Sequence, residues 1–213
     1  MRWTIAAAAA AVAMSFVAAP DGGAQTAAVP RAECGPGSRP ETDLQGRVTF
    51  DDHESGYSDT PITCNTELVG HFGTSGGFKV ERYVDAAGRE CAFFDSTVIL
   101  PLDVPGSLGS YVLDMSDPSN PTQTAQLVTP AMVTPHESLL VSQESGLLAA
   151  VMGNPTFHPG MVDVYDVSDD CRQPVLQSST PTGILGHESG FSPDGRTFYA
   201  SSLATNDITA VDL

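Results

Sequence analysis

Positive charge is scarce in this 213-residue chain: 9 Lys and Arg stand against 26 Asp and Glu, a formal charge of −17. That deficit excludes a nucleic-acid binder that works by neutralising phosphates, which needs basic patches. It also argues against docking on anionic membranes, which the same charge repels. Lysine occurs once, at Lys79, beside 20 Gly and 16 Pro. A helical bundle would want the reverse, a chain rich in Ala, Leu, Glu and Lys. No C-x-x-C pair occurs, so a zinc ribbon or a thioredoxin-type site has no support. Neither His136-Glu137 nor His187-Glu188 has a second His four residues after the first, where Leu140 and Phe191 stand, so the zinc-protease helix is absent. Ser189 falls one place too late for a Gly-x-Ser-x-Gly elbow, and the Gly-rich stretch 73–77 lacks the Lys of a phosphate loop. What is present is a 41% apolar content, enough for a core, in a length that holds one or two domains.

The first residues read as a targeting segment. Met1-Arg2-Trp3 is a short basic start, Thr4 to Ala19 is an apolar run dominated by Ala, and a Pro/Gly break follows at Pro20 to Gly23. This is the layout of a secretory signal peptide, expected over residues 1–24, with small residues before the cut and Gln25 as the new N-terminus. The alternative is an uncleaved anchor, but the run of about 16 residues is short of the roughly 20 that span a bilayer. No later stretch is long enough, so no transmembrane span is expected once the signal is removed. The chain is therefore expected to be secreted or periplasmic. Its four cysteines, Cys34, Cys64, Cys91 and Cys171, fit disulfides in an oxidising compartment. Three pairings are open to them. Cys64 and Cys91 flank the opening of the first repeat unit and form the preferred pair, a cross-link contributing about 3 kcal/mol by loop closure. Cys34 with Cys171 is the possible second pair. Residues 25–61, rich in Pro, Gly and Asp, read as a flexible, mostly extended lead-in. Its acidic stretch from Asp51 to Asp59 lacks the spacing of the twelve-residue calcium loop and reads as a solvated linker.

From residue 62 onward the chain repeats. A strand ending in Asp recurs at Asp114, Asp166 and Asp212, steps of 52 and 46. His136-Glu137-Ser138 and His187-Glu188-Ser189 recur with a step of 51, so both markers move together. Each unit reads as strands and turns. Residues 187–191 form one strand, Ser192-Pro193-Asp194-Gly195 a turn, 196–201 a second strand and 208–213 a third. The middle copy runs 137–142, a turn at 143–146, then 147–152 and 161–167. A diverged first copy runs 78–83, a turn at 85–88, then 89–94 and 110–115. Pro-bearing turns lead to further strands at 124–128 and 175–178. Four strands per unit of about 50 residues is the signature of a β-propeller blade.

Residues 109–121, Gly-Ser-Tyr-Val-Leu-Asp-Met-Ser-Asp-Pro-Ser-Asn-Pro, resemble the repeat of the LVIVD-repeat family, exported bacterial β-propellers. Residues 163–169 fit the same strand with Asp170-Cys171 in place of Asp-Pro, and 209–213 fit the strand alone. The resemblance covers about residues 62–213 and implies an all-β β-propeller of about three four-stranded blades. A closed ring takes four to eight. The ring is thus expected to be incomplete, as a fragment of a longer propeller or as one of several chains that assemble it.

The candidate site is the recurring His-Glu pair. His136, Glu137, His187 and Glu188 fall at the start of what reads as the innermost strand, which lines a propeller's channel. Imidazole and carboxylate together suit a divalent transition metal; His71, in the diverged first unit, is a third His candidate. The competing reading is structural, with each pair tying one blade to the next. Neighbours on a strand point to opposite faces, so only one of each pair can face a channel. Two functions follow. One is a binding or cell-surface scaffold whose loops meet a protein or small-molecule ligand. The other is a metal-dependent oxidoreductase or hydrolase that uses the His/Glu set.

Overall fold

The computed structural model describes residues 31–73, 77–96, 108–153, 160–182 and 186–213. The expected signal peptide lies outside them. The chain divides into two compact units, Met1–Glu67 and Leu68–Leu213.

In the first unit, residues 31–67 are folded rather than extended, which corrects the lead-in reading. A disulfide joins Cys34 to Cys64. Helix α1, Phe50–Glu54, starts at a capping box: Thr49 Oγ1 accepts from the Asp52 N–H at 3.1 Å, and the Asp52 carboxylate accepts from the Thr49 N–H at 3.4 Å. Asp52 is buried and also accepts from the Thr42 hydroxyl at 2.8 Å, so this acidic stretch is committed to a cap instead of lying solvated. The Arg39 guanidinium lies 3.6 Å from the Tyr57 ring centre and donates to the Thr60 and Tyr57 carbonyls. Short polar side chains bonding to nearby backbone supply the order that apolar periodicity does not.

The second unit contains three antiparallel sheets in chain order. The first holds β1 (Val80–Val84), β2 (Glu90–Asp95), β3 (Ser110–Asp114) and β4 (Thr122–Leu127). The second holds β5 (Leu140–Ser142), β6 (Leu147–Val151), β7 (Val162–Asp166) and β8 (Val175–Thr180). The third holds β9 (Ser189–Phe191), β10 (Thr197–Ser202) and β11 (Asp207–Asp212). The hairpins turn where the sequence predicts, with Gly88 and Gly146 at φ of +78° and +67°. A short helix α2, Pro130–Val133, links the first two sheets, and its Ala131 N–H donates to the buried Asp163 carboxylate at 2.7 Å.

Alternation along the strands builds two cores. Phe93 and Val112 belong to one core with Leu148 and Tyr165, between the first and second sheets. Ala149, Val151, Val162 and Val164 pack with Phe198 and Ala200 between the second and third. The middle sheet is thus covered on both faces. The outer faces of the other two leave Val80, Tyr199 and Ile208 exposed. The first strands adjoin, β1 against β5 and β5 against β9. This is an all-β, propeller-type arrangement with an incomplete ring.

The second disulfide joins Cys91 to Cys171, with 6.0 Å between their Cα atoms, so the expected Cys64–Cys91 pair is not formed. Nor is a Cys34–Cys171 pair. Cys91 sits on the same face of β2 as Phe93 and turns toward the second sheet, where the turn after β7 brings Cys171. The same junction is stapled by charge. Arg89 Nε lies 2.7 Å from the buried Asp85 carboxylate and 3.5 Å from Asp170, while Arg172 reaches Asp170 at 2.8 Å and Asp114 at 3.5 Å. Hydrogen bonding to Arg172 holds the Asp170 carboxyl well below the usual range.

Candidate functional site

The adjoining starts of β1, β5 and β9 bring together most of the predicted set. The two His-Glu-Ser copies are not equivalent there. His136–Ser138 forms a 3₁₀ turn with His136 in the left-handed region at φ +48°, whereas Ser189 already begins β9. His136 therefore does not begin a strand. Its ring packs on Phe78, with centres 4.9 Å apart. Burial first, then charge on His187, holds its imidazole below the usual value against the opposing pull of Glu137.

Glu137 instead faces the next blade. Its Oε2 lies 3.6 Å from His187 Nε2, across the step from the second sheet to the third. Its carbonyl accepts from the Lys79 ammonium at 3.3 Å, across the step to the first sheet. Lys79 also lies 3.3 Å from Glu81. The His187 side chain is 56% exposed, open enough to meet a ligand. Glu188 is exposed, and its backbone is tied to Ser201: its N–H donates to Ser201 Oγ at 3.2 Å and its carbonyl accepts from that hydroxyl. His71 lines a cavity of about 460 Å³ over the outer face of the first sheet, with Phe72, Phe78, Lys79 and Phe94.

Two members of this end of the molecule carry no repeat signal. Lys79 is one, marked in the sequence only as its single lysine. Asp95, at the end of β2, is the other. It is fully buried, and its Oδ1 accepts from the N–H groups of Phe78 at 2.8 Å and Lys79 at 3.3 Å. Its Oδ2 is buried with no hydrogen-bond partner among the described residues. Burial pushes this carboxyl up, and the charge on Glu137 adds to the rise. Among the described residues, no three His, Cys, Asp or Glu side chains cluster closely enough to hold a metal ion. The rim links Lys79, Glu137 and His187 across successive sheets.

No family model and no curated protein matches the chain. Solved structures do. A candidate 6-phosphogluconolactonase of Bacteroides uniformis matches at 17% identity with a TM-score of 0.51, over 72% of this chain and 41% of that one. A second, from Bacteroides fragilis, matches at 12% identity and 0.48, over 66% and 36%. Hydrazine synthase of Kuenenia stuttgartiensis matches at 15% and 0.39, over 63% and 44%. The chain thus spans less than half the length of each. The first likeness supports the propeller-type fold and carries nothing about chemistry. Among the described residues no helix is long and apolar enough to cross a membrane. The two disulfides are compatible with an extracellular or periplasmic location.

Proposed function

We propose that this chain is part of a secreted β-propeller of the LVIVD-repeat type that serves as a binding scaffold. Its ligand-facing end is the rim where β1, β5 and β9 begin. One observation carries the reading: Lys79, Glu137 and His187, from three successive sheets, form a chain of contacts in which both signs of charge reach a common edge. Such an edge offers donors and acceptors to a polar protein segment or small molecule, on strands rigid enough to hold them in place. The 1–24 segment, removed on export, would deliver it to the compartment its disulfides suit.

The Glu137–His187 approach at 3.6 Å also favours a second reading, a metal-dependent oxidoreductase or hydrolase in which these two side chains supply ligands. Metal analysis of the exported full chain separates the two. The scaffold reading expects no stoichiometric metal, with His136→Ala lowering stability and His187→Ala weakening binding at the rim. The enzyme reading expects one divalent transition metal per chain, lost in either variant. N-terminal sequencing of the same sample tests export, with Gln25 as the expected first residue.

A further inference from the structure

The outer face of the first sheet is not bare. Along β2, Cys91 and Phe93 turn to the core, so Ala92 and Phe94 point the other way. The segment before β1 crosses that outer face. Its Phe72 ring meets Phe94 and Tyr111 edge-on, with centres 6.3 and 6.4 Å apart. Gly70 abuts the turn after β3 so closely that a Cβ there would collide with the Pro118 carbonyl. Segment and sheet together line the cavity of about 460 Å³, the first through Phe72 and Phe78 and the second through Ala92, Phe94 and Leu113. That size falls within the roughly 300–1,000 Å³ of small-molecule sites, and aromatic rings around a few polar groups are their usual lining.

The charge at this cavity runs against the rest of the chain. The sequence holds 26 Asp and Glu, yet among the described residues none lines the cavity. The one Lys or Arg in the lining is Lys79, the only lysine of the chain. An ammonium has three N–H donors. Among the described residues two are accounted for, by the Glu137 carbonyl and the Glu81 carboxylate, each at 3.3 Å. One donor is left for a ligand. The site is part-buried, where a charge-assisted bond is stronger than in open water.

We propose that this cavity binds a small aromatic carboxylate. The rings of Phe72, Phe78 and Phe94 cover its apolar body, and the Lys79 ammonium pairs with its carboxylate. The site shares Lys79 with the rim but requires no ligand there.

Calorimetric titration of the exported full chain with 2-naphthoate tests this. Saturable binding of one molecule per chain is expected. The neutral 2-naphthamide has the same rings without the charge and should bind about tenfold more weakly. Lys79→Met keeps an apolar stem and removes the ammonium. It should weaken naphthoate about tenfold and leave naphthamide within about twofold, a split that a merely loosened fold would not produce. Ala92→Phe should fill the cavity and abolish binding of both, with the circular dichroism of the sheets unchanged. The proposal is overturned if millimolar naphthoate does not bind, as when another sheet covers this face, or if the amide binds as tightly as the acid. It is equally overturned if Lys79→Met weakens both alike, or if Ala92→Phe binds naphthoate as the parent does. The metal content of the rim bears on none of these outcomes.

Discussion

Removing the Cys91–Cys171 cross-link should cost the three-sheet unit more than any other change short of deleting a strand. The two cysteines are 80 residues apart in sequence. By the chain-entropy relation, a loop of that length restricts the unfolded chain by about 15 cal/mol/K, or about 4.5 kcal/mol at 25 °C. The corresponding figure for Cys34–Cys64, 30 apart, is about 3.6 kcal/mol, and it acts on the other unit. Both sulfurs of the longer link come from fully buried residues, so truncation also removes packing. The double variant Cys91→Ala/Cys171→Ala should therefore unfold at lower urea. With a slope of about 2 kcal/mol/M, the midpoint falls by about 2 M. The chain's one Trp is Trp3, in the segment expected to be removed, so the transition is best followed by far-ultraviolet circular dichroism and Tyr fluorescence. Cys34→Ala/Cys64→Ala should leave the sheet signal's midpoint nearly unchanged. A shift below about 0.5 M in the first variant would refute the reasoning. So would a non-reducing peptide map that joins Cys64 to Cys91.

Three further outcomes are expected. Arg89→Met strips the buried Asp85 carboxylate of its cation and should cost about 2 kcal/mol at pH 7. Burial acts to raise Asp85, but bonds from Arg89, Cys171 and Ala87 outweigh it and hold the carboxyl low. Its contribution is therefore complete above about pH 4 and lost as pH falls through the lowered folded value; urea midpoints at pH 7 and pH 3 should show the variant's deficit shrinking in acid. Asp95 has the opposite sign: its raised folded value makes it destabilising as pH climbs above about 4. The stability of Asp95→Asn relative to the parent should accordingly rise between pH 4 and pH 7, and a constant gap would count against a charge buried there. Gly88→Ala meets nothing within 4 Å and should cost only the left-handed backbone penalty, about 1 kcal/mol. Gly146→Ala would place a Cβ 2.6 Å from the Ser168 Cβ and should cost about 3 kcal/mol, so equal melting temperatures would refute the comparison.

The propeller-type sheets were legible because each strand announces itself twice, by alternation and by the turn that ends it. Ser192-Pro193-Asp194-Gly195 and the stretch 143–146 turn where their Gly residues allow a left-handed backbone. The closing strands repeat because Asp114 and Asp166 each accept the backbone N–H two residues on, at 2.9 and 2.8 Å. That local bond ties the Asp to the turn. The first unit was illegible for the converse reason. Its order rests on a disulfide, a cap and one stacked guanidinium, and composition records these only as polarity. Cysteine pairing was misread because adjacency to a motif says nothing about which face of a strand a thiol occupies. Cys91 shares its face with Phe93, and that face is the one the second sheet covers.

The candidate site shows how far a repeated tripeptide can mislead about geometry while still pointing to the right place. Identical spelling at 136–138 and 187–189 suggests two copies of one role. One His is instead turned inward by a left-handed backbone onto Phe78, and the other is left open at the rim. The residues that meet come from different positions in their units, Glu137 with His187 and Lys79 with Glu137. Adjacent sheets in a propeller are offset around the axis, so side chains that converge at the rim need not share a place in the repeat. A site assembled this way has unlike groups at successive steps: an ammonium, a carboxylate and an imidazole. The divergence of the two His-Glu-Ser copies makes their two histidines inequivalent. Its sharpest consequence is that His187→Gln and His136→Gln should differ. The first should change whatever binds at the rim with little effect on the urea midpoint. The second should cost about 1 kcal/mol, a fall of about 0.5 M in that midpoint, through its half-buried ring. Equal effects of the two on both measurements would restore the reading of equivalent copies.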